Sequence, residues 1–204
     1  MRYYMFNKPS GCVTACKDER HKTVMDYFPC EAREGLFPIG RLDKDTEGLL
    51  IVTDDGHLSF HLSSPESKIS KTYVFYAAGV ATHEMIERLM QGVPVDTKKG
   101  RITATSDAML IDVLKLSDIA HLFPADEKKI RNSRWGERPV SKVMIRITEG
   151  KKHQVKKMAL AVGLRVIYLE RVSIADLPLD KTLKRGEYRE LFEDEVASLY
   201  SLFT

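Results

Sequence analysis

Polar and apolar positions alternate along this chain with two different periods, and each change of period marks an element. Residues 2–6 are aromatic and apolar, as in a short buried strand; Asn7-Lys8-Pro9-Ser10-Gly11 then breaks it with a turn that leaves Lys8 at its tip. Thr23 to Phe28 fits one or two helical turns stopped by Pro29, and Leu36 to Ile39 is a short apolar piece. Leu49-Leu50-Ile51-Val52 is an unbroken apolar run, the pattern of a core strand. Lys71 to Tyr76 alternates, with Val74 and Tyr76 on one face and Tyr73 and Phe75 on the other. Three short strands are predicted over 93–118, with a turn at Lys98-Lys99-Gly100, and Val140 to Ile147 alternates cleanly. Leu164 to Ile174 is long and β-rich, and Tyr188 to Leu191 is short.

Helical periods fall between these strands. His57 to Leu62 fits a short helix ended by Ser64-Pro65. Thr82 is placed to cap a helix that runs to Gln91 and closes at Gly92. Its Met85, Ile86, Leu89 and Met90 recur at helical spacing, which reads as core packing. Val155, Met158, Ala159 and Val162 form one apolar face of another helix. Asp194 to Phe203 reads as a closing helix with acids in its first turn, as the macrodipole favours.

Composition narrows the class more than the function. With 204 residues, 43% hydrophobic and 30% charged, the chain can bury a sizeable core as one domain, or one domain with two lobes. The net charge of +3 is compatible with nucleic acid without arguing for it, so local clustering decides. Cys12, Cys16 and Cys30 lack zinc spacing, and their odd number suits reduced, cytosolic thiols. The apolar residues after Met1 are too few for a signal peptide, and no run approaches the ~18 that a membrane span needs.

Two basic clusters stand out. Between 119 and 138 the periodicity disappears, and Lys128, Lys129, Arg131, Arg134 and Arg138 surround Trp135. That mixture suits RNA, through phosphate contact and stacking, and it also suits an exposed insertion loop. Lys152, His153, Lys156 and Lys157 crowd the first turns of the 155–162 helix. A solvated basic face is one reading. Against it, cations there oppose the helix dipole at a cost of a few tenths of a kcal/mol each, which favours a use for the charge. His57 and His61 share a helix face but have no Glu or third His beside them, so no metal site is expected.

The chemistry concentrates in GRLDKDTEGLLIVTDDG, Gly40 to Gly56. A loop carrying Arg41, Asp43 and two further acids feeds the apolar run. It is either a capped turn with a local Arg41–Asp43 ion pair, or a carboxylate held out for reaction by a rigid strand. Tyr73 and Lys156 are further candidates, but such spacings alone name no reaction.

Six segments in order give the chain a resemblance: NKPSG at 7–11, the stretch 40–56, Ser64-Pro65 to Lys71-Thr72-Tyr73, EGKKHQVKKM at 149–158, VIYLERVSI at 166–174 and RGEYREL at 185–191. Together they resemble the RsuA family of pseudouridine synthases, the type that acts on small-subunit ribosomal RNA. The resemblance implies an α+β pseudouridine synthase fold over 1–204: a bent, mixed, largely antiparallel sheet, flanking helices and a cleft across the middle. It implies isomerisation of uridine to pseudouridine in ribosomal RNA or a pre-ribosomal particle, in the cytoplasm, by a monomer without cofactor or metal.

Asp43 matches the family's essential aspartate, which either attacks the sugar C1′ or removes the C2′ proton to give a glycal, the account now favoured. Tyr73 matches the tyrosine that stacks on the uracil. Lys156 falls where relatives carry a cation paired with the aspartate, and Leu169 matches the leucine under the base. Arg41 is associated with holding the flipped nucleotide, and Lys8, Lys151, Lys152, His153, Gln154 and Lys157 are candidates for contacting RNA. Many relatives begin with an S4 RNA-binding domain, whereas here the catalytic segment starts at once; the domain is expected to be absent, so that either the catalytic domain binds RNA alone or the basic insertion around Lys128–Arg138 compensates. The wording of the later motifs leans toward 16S RNA. The alternatives are a 23S enzyme, or a catalytically silent RNA-binding or ribosome-assembly factor. A carboxylate hydrolase of nucleosides is a third reading.

Overall fold

The structure, a computed structural model, describes residues 1–203. Its strands are β1 (Tyr3–Lys8), β2 (Phe37–Pro38), β3 (Glu47–Thr53), β4 (Lys71–Ala78), β5 (Val93–Thr97), β6 (Gly100–Ala104), β7 (Asp107–Lys115), β8 (Pro139–Ile147), β9 (Arg165–Ile174), β10 (Leu177–Pro178) and β11 (Tyr188–Glu190). The α-helices are α1 (Gly56–Ser63), α2 (His83–Gln91), α3 (Glu127–Arg131), α4 (Gln154–Ala161) and α5 (Glu193–Tyr200). The fold is α+β, with a mixed, largely antiparallel sheet and flanking helices; β3 and β9 pair in parallel. The chain forms two compact units, Met1–Thr72 with Glu170–Thr204, and Tyr73–Leu169.

In the first unit the strand order is β11-β1-β3-β9. All seven residues of β3 are buried, because both faces of this central strand are covered. That explains an apolar run where a half-exposed strand would alternate. Met5, Leu49 and Ile51 join Leu58 and Leu62 of α1 and Leu199 of α5 in one apolar cluster. On the other side Phe6 meets Phe28 at 5.7 Å between ring centroids, and Phe28 stacks on Tyr188 at 4.2 Å.

The acids that close the 40–56 stretch are structural. Asp54 accepts hydrogen bonds from the backbone N–H of Arg2 at 2.7 Å and from its Nε at 2.9 Å. Asp55 is fully buried and caps α1 by accepting from the N–H groups of His57 and Leu58, and it also accepts from the hydroxyls of Tyr3 and Tyr200. These hydrogen bonds tie β1 and α5 to the helix start. Desolvation pushes the Tyr3 hydroxyl well above the ordinary phenol range, and the contacts with Tyr200 and Asp55 add to it.

In the second unit β4, β8 and β7 lie side by side, and β5 and β6 form a separate hairpin. Tyr73, Phe75 and Ala77 are buried while Val74 and Tyr76 are half-exposed, the alternation predicted for β4. Thr82 caps α2 through the Met85 N–H, and Ile86 and Leu89 point into the core. Met90 is 42% exposed and leaves the expected stripe. Val155, Met158, Ala159 and Val162 are buried as the helical period requires.

Two expectations change. The stretch 119–138 is not a loop: a 3-10 helix spans Leu116–Leu122 and α3 follows it, with Ile119, Ala120 and Ile130 buried. Single turns are too short for a period to show. Lys8 is not at a turn tip either. β1 runs through it, because Lys8 pairs with Gly48 of β3 before the chain turns.

Candidate active site

In the first unit the loop before β3 carries Asp43, half-buried, and the loop is tied down on both sides of it. Upstream, the Thr14 hydroxyl donates to the Leu42 carbonyl at 2.8 Å, and the Leu42 N–H donates back to the same oxygen at 3.1 Å. Downstream, the Lys8 ammonium donates to the carbonyls of Thr46 at 2.9 Å and Lys44 at 3.3 Å, and the Gly11 N–H also reaches Lys44 at 2.8 Å. The turn closes through the Thr46 N–H, which donates to the Asp43 carbonyl at 3.1 Å. Backbone held in this way fixes where a side chain is presented before any substrate arrives.

This geometry corrects the expectation for Lys8. The residue is fully buried, so it cannot meet RNA phosphates. Burial lowers its pKa, and Cys12, Glu47, Asp45 and Asp43 act in the opposite direction. Arg41, by contrast, is exposed and makes no ion pair among the described residues, so the local Arg41–Asp43 pair is not formed.

In the second unit Tyr73 on β4 and Leu169 on β9 are both buried, and Lys156 is half-buried on the first turns of α4. His153 precedes α4 with φ 55°, a left-handed turn that admits the chain to the helix. Gln154 is corrected as well. It is buried, its side-chain oxygen accepts from the Lys151 N–H at 2.9 Å, and its amide faces the Met158 sulfur at 3.9 Å. Occupied on both ends, it braces the turn rather than contacting RNA. Lys151, Lys152 and His153 are exposed, and Lys157 donates to the Asp96 carbonyl at 2.5 Å.

A family model described as RNA pseudouridylate synthase matches residues 2–161. The chain belongs to the RNA pseudouridine synthases. Among curated relatives, the Bacillus subtilis protein called uncharacterized RNA pseudouridine synthase YtzG is 40% identical over 195 residues, 95% of this chain and 71% of that one. Ribosomal small subunit pseudouridine synthase A of Escherichia coli is 33% identical over 198 residues, 97% and 74% of the two chains. A crystal structure of a pseudouridylate synthase superposes with a TM-score of 0.78 at 30% identity, covering 97% of this chain and 73% of the other. Human RNA pseudouridylate synthase domain containing 1 shares the fold, with a TM-score of 0.57 at 15% identity and coverage of 99% and 84%.

The synthase carries a buried polar group, also in the first unit, that the sequence did not announce. Glu47, at the start of β3, accepts from the Ser10 N–H at 3.2 Å and pairs with Arg185 at 2.5 Å. Arg171 of β9, also buried, donates through Nε to the Leu49 carbonyl at 2.8 Å. Gly48 sits opposite Arg171 with φ +99°, and a Cβ there would strike the Arg171 carbonyl oxygen. The Lys71 ammonium, which donates to the Ile69 carbonyl at 2.9 Å, is lowered to about 8 by burial and by repulsion from Arg171. The signal was present: Glu47-Gly48 lies inside the 40–56 motif and Arg185 opens RGEYREL. A charged residue beside a glycine reads as loop, however, when its partner is far away in sequence.

Proposed function

We propose that this synthase isomerises uridine to pseudouridine in ribosomal RNA, with 16S RNA of the small subunit as target, and that it does so as a monomer in the cytoplasm. The clamped presentation of Asp43 carries the reading: Thr14 and Lys8 hold the backbone on either side of one carboxylate whose motif matches the family's reacting aspartate. The name of the Escherichia coli relative and the wording of the later motifs support the choice of small-subunit RNA and of the RsuA type within the family.

In this reading Asp43 acts on the ribose, by addition at C1′ or by removal of the C2′ proton. The C1′–N1 bond breaks, the uracil turns, and C5 joins C1′. When C5 joins C1′, Asp43 leaves C1′ on the first route, and the proton returns to C2′ on the second; the C5 proton leaves and N1 gains one, so the balance is an isomerisation. Tyr73 stacks on the uracil and Leu169 forms the apolar floor, while Lys156 supplies a cation to offset the cost of desolvating a carboxylate. Arg41, Lys151, Lys152, His153 and Lys157 receive phosphates. The target uridine must leave its stack, at a cost of a few kcal/mol that such contacts repay.

Tritium release from RNA carrying C5-labelled uridine tests the assignment. The wild-type chain is expected to release the label and Asp43→Asn to release none above background, with its melting temperature kept. Turnover by the variant would overturn the mechanism. Free uracil in the products would point to a hydrolase, and absence of turnover by the wild type on any ribosomal RNA to a silent binding factor. Pseudouridine mapping in a deletion strain separates 16S from 23S.

A further inference from the structure

The second unit contains a cavity that the uridine chemistry does not use. It encloses roughly 240 Å³, and Phe123, Ile130 and Ile167 give it apolar walls, with Asp126, Lys129 and Trp135 also lining it. That is below the ~300–1,000 Å³ of sites for drug-sized ligands, and suits a single planar ring. Trp135 is 53% exposed although it is the largest apolar side chain nearby. It is not a loose residue. Its backbone N–H donates to the Ser133 hydroxyl at 3.2 Å, its carbonyl accepts from the Arg138 backbone N–H at 3.1 Å, and the Gly136 carbonyl accepts from the Ser117 backbone N–H at 2.9 Å. Gly136 allows that close packing, since a Cβ there would lie 2.5 Å from the Ile130 carbonyl oxygen.

Two cations lie over the ring, Lys129 Nζ 5.4 Å and Arg138 Cζ 5.1 Å from its centroid, and a base that stacks there displaces one of them toward the adjoining phosphate. Arg131 is neutralised by Glu127 at 2.9 Å and Lys115 by Glu137 at 2.7 Å. Lys128, Lys129, Arg134 and Arg138 have no ion pair among the described residues, which leaves positive charge around the exposed indole. An aromatic platform rimmed by unpaired cations is the arrangement that binds single-stranded nucleic acid, by stacking plus phosphate contact. Asp126 makes no side-chain hydrogen bond or ion pair among the described residues, and it can accept from an exocyclic amine. Adenine, cytosine and guanine carry such an amine; uracil does not.

We propose that this cavity is a second base-binding site, which takes one unpaired, amine-bearing nucleobase of the RNA substrate by stacking it against Trp135, with Lys129 and Arg138 on the adjoining phosphates. The proposal rests on the reading that the chain acts on RNA. It gives the enzyme a contact with sequence content away from the uridine it converts.

Trp135 is the one tryptophan of the chain, so its fluorescence reports on this site alone. The full chain is titrated with short single-stranded oligo(A), oligo(C) and oligo(U). The first two contain no uridine for the catalytic carboxylate to engage. Saturable quenching by oligo(A) or oligo(C) is expected, with oligo(U) at least about fivefold weaker, a margin that Asp126→Ala, which removes the acceptor, abolishes. Trp135→Leu, checked for an unchanged melting temperature, is expected to weaken binding of labelled oligo(A) about tenfold, within the range for loss of one stacked base, and to raise KM for ribosomal RNA with kcat retained. Absence of quenching, or equal affinity in Trp135→Leu, overturns the proposal. So does quenching that needs an intact ribosomal particle and vanishes with naked RNA, which would give the cavity to a protein. Normal pseudouridine formation with a silent Trp135 sinks this inference alone. Quenching by oligo(A) without turnover on any RNA sinks the proposed function and leaves the RNA site standing.

Discussion

The ammonium group of Lys8 donates to the carbonyl oxygen of Thr46 at 2.9 Å, and so ties the end of β1 to the loop that presents Asp43. Lys8→Met keeps the buried stem and removes the donors, leaving the carbonyls of Thr46, Lys44 and Pro9 without this partner. Relief of the desolvated charge returns part of the loss. The unmade hydrogen bonds outweigh it, and a net destabilisation of about 1–3 kcal/mol is expected. Urea unfolding measures this as a lower midpoint at unchanged slope. kcat is expected to fall as well, since the loop loses its downstream anchor. A variant with unchanged midpoint and kcat would show that the clamp is idle.

Gly48 and Arg171 approach too closely for any side chain at position 48. Gly48→Ala combines a left-handed backbone with a collision against main chain, which cannot swing away as a flexible side chain can. A loss above about 3 kcal/mol is expected, beyond the range of ordinary substitutions. Chemical denaturation, or the soluble yield where the variant does not fold, provides the measurement. Tolerance within about 1 kcal/mol would contradict the β3–β9 pairing at this register.

Lys71 contributes a pH dependence of definite sign. Its folded value of about 8 lies below the ordinary value of 10.5, so below about pH 8 the folded protein bears the full cost of a charged, half-buried amine beside Arg171. Between about 8 and 10.5 the unfolded chain binds more protons, and stability rises with pH. Lys71→Met is therefore expected to melt higher than wild type near pH 7, with the gap closing as pH approaches 10.5. Paired thermal melts across that window decide it, and a gap constant with pH would refute the assignment.

Arg189 grips Glu195 with two parallel hydrogen bonds of 2.8 Å and Asp180 with one of 2.7 Å, joining β11 to the first turn of α5. The Thr182 hydroxyl and N–H, followed by Arg189, hold Asp180 down at about 2. Arg189→Met is expected to cost about 1–2 kcal/mol, from charge-assisted hydrogen bonds only partly exposed to water. Faster amide exchange should be confined to α5 and β11. Arg189 is the largest cause that holds Glu195 below its ordinary 4.5, so its contribution there is present above about pH 4.5 and is lost as pH falls through the lowered value, and once Asp180 is protonated too, in strong acid, the variant and wild type should converge. Uniform loosening across β3 would mean that the network supports the core rather than the C-terminal helix.

Much of the architecture was legible because it depends on periods. The alternation in β4 and β8, the helical faces of α2 and α4, and the Thr82 cap follow from local geometry that any window of eight residues displays. The strand at Leu49–Val52 was readable for the opposite reason, since burial on both faces leaves no period at all. Asp43 stood out through its motif, and the family follows from the chain as a whole.

What local pattern could not reveal is which charges are spent inside the fold. Lys8 and Glu47 read as loop residues and Arg171 as one position of a β-rich segment, yet each is buried, and each finds a partner distant in sequence. Gln154 looked like a contact for RNA and is a brace, while Trp135, ambiguous as a basic loop, forms the wall of a cavity. The sequence by itself determined most of the elements and the family, and it singled out Asp43 as the candidate carboxylate, because periodicity and motif are properties of neighbouring residues. Only the tertiary structure decided which cations hold the Asp43 loop and which remain exposed, because burial and hydrogen bonding depend on what the folded chain brings alongside.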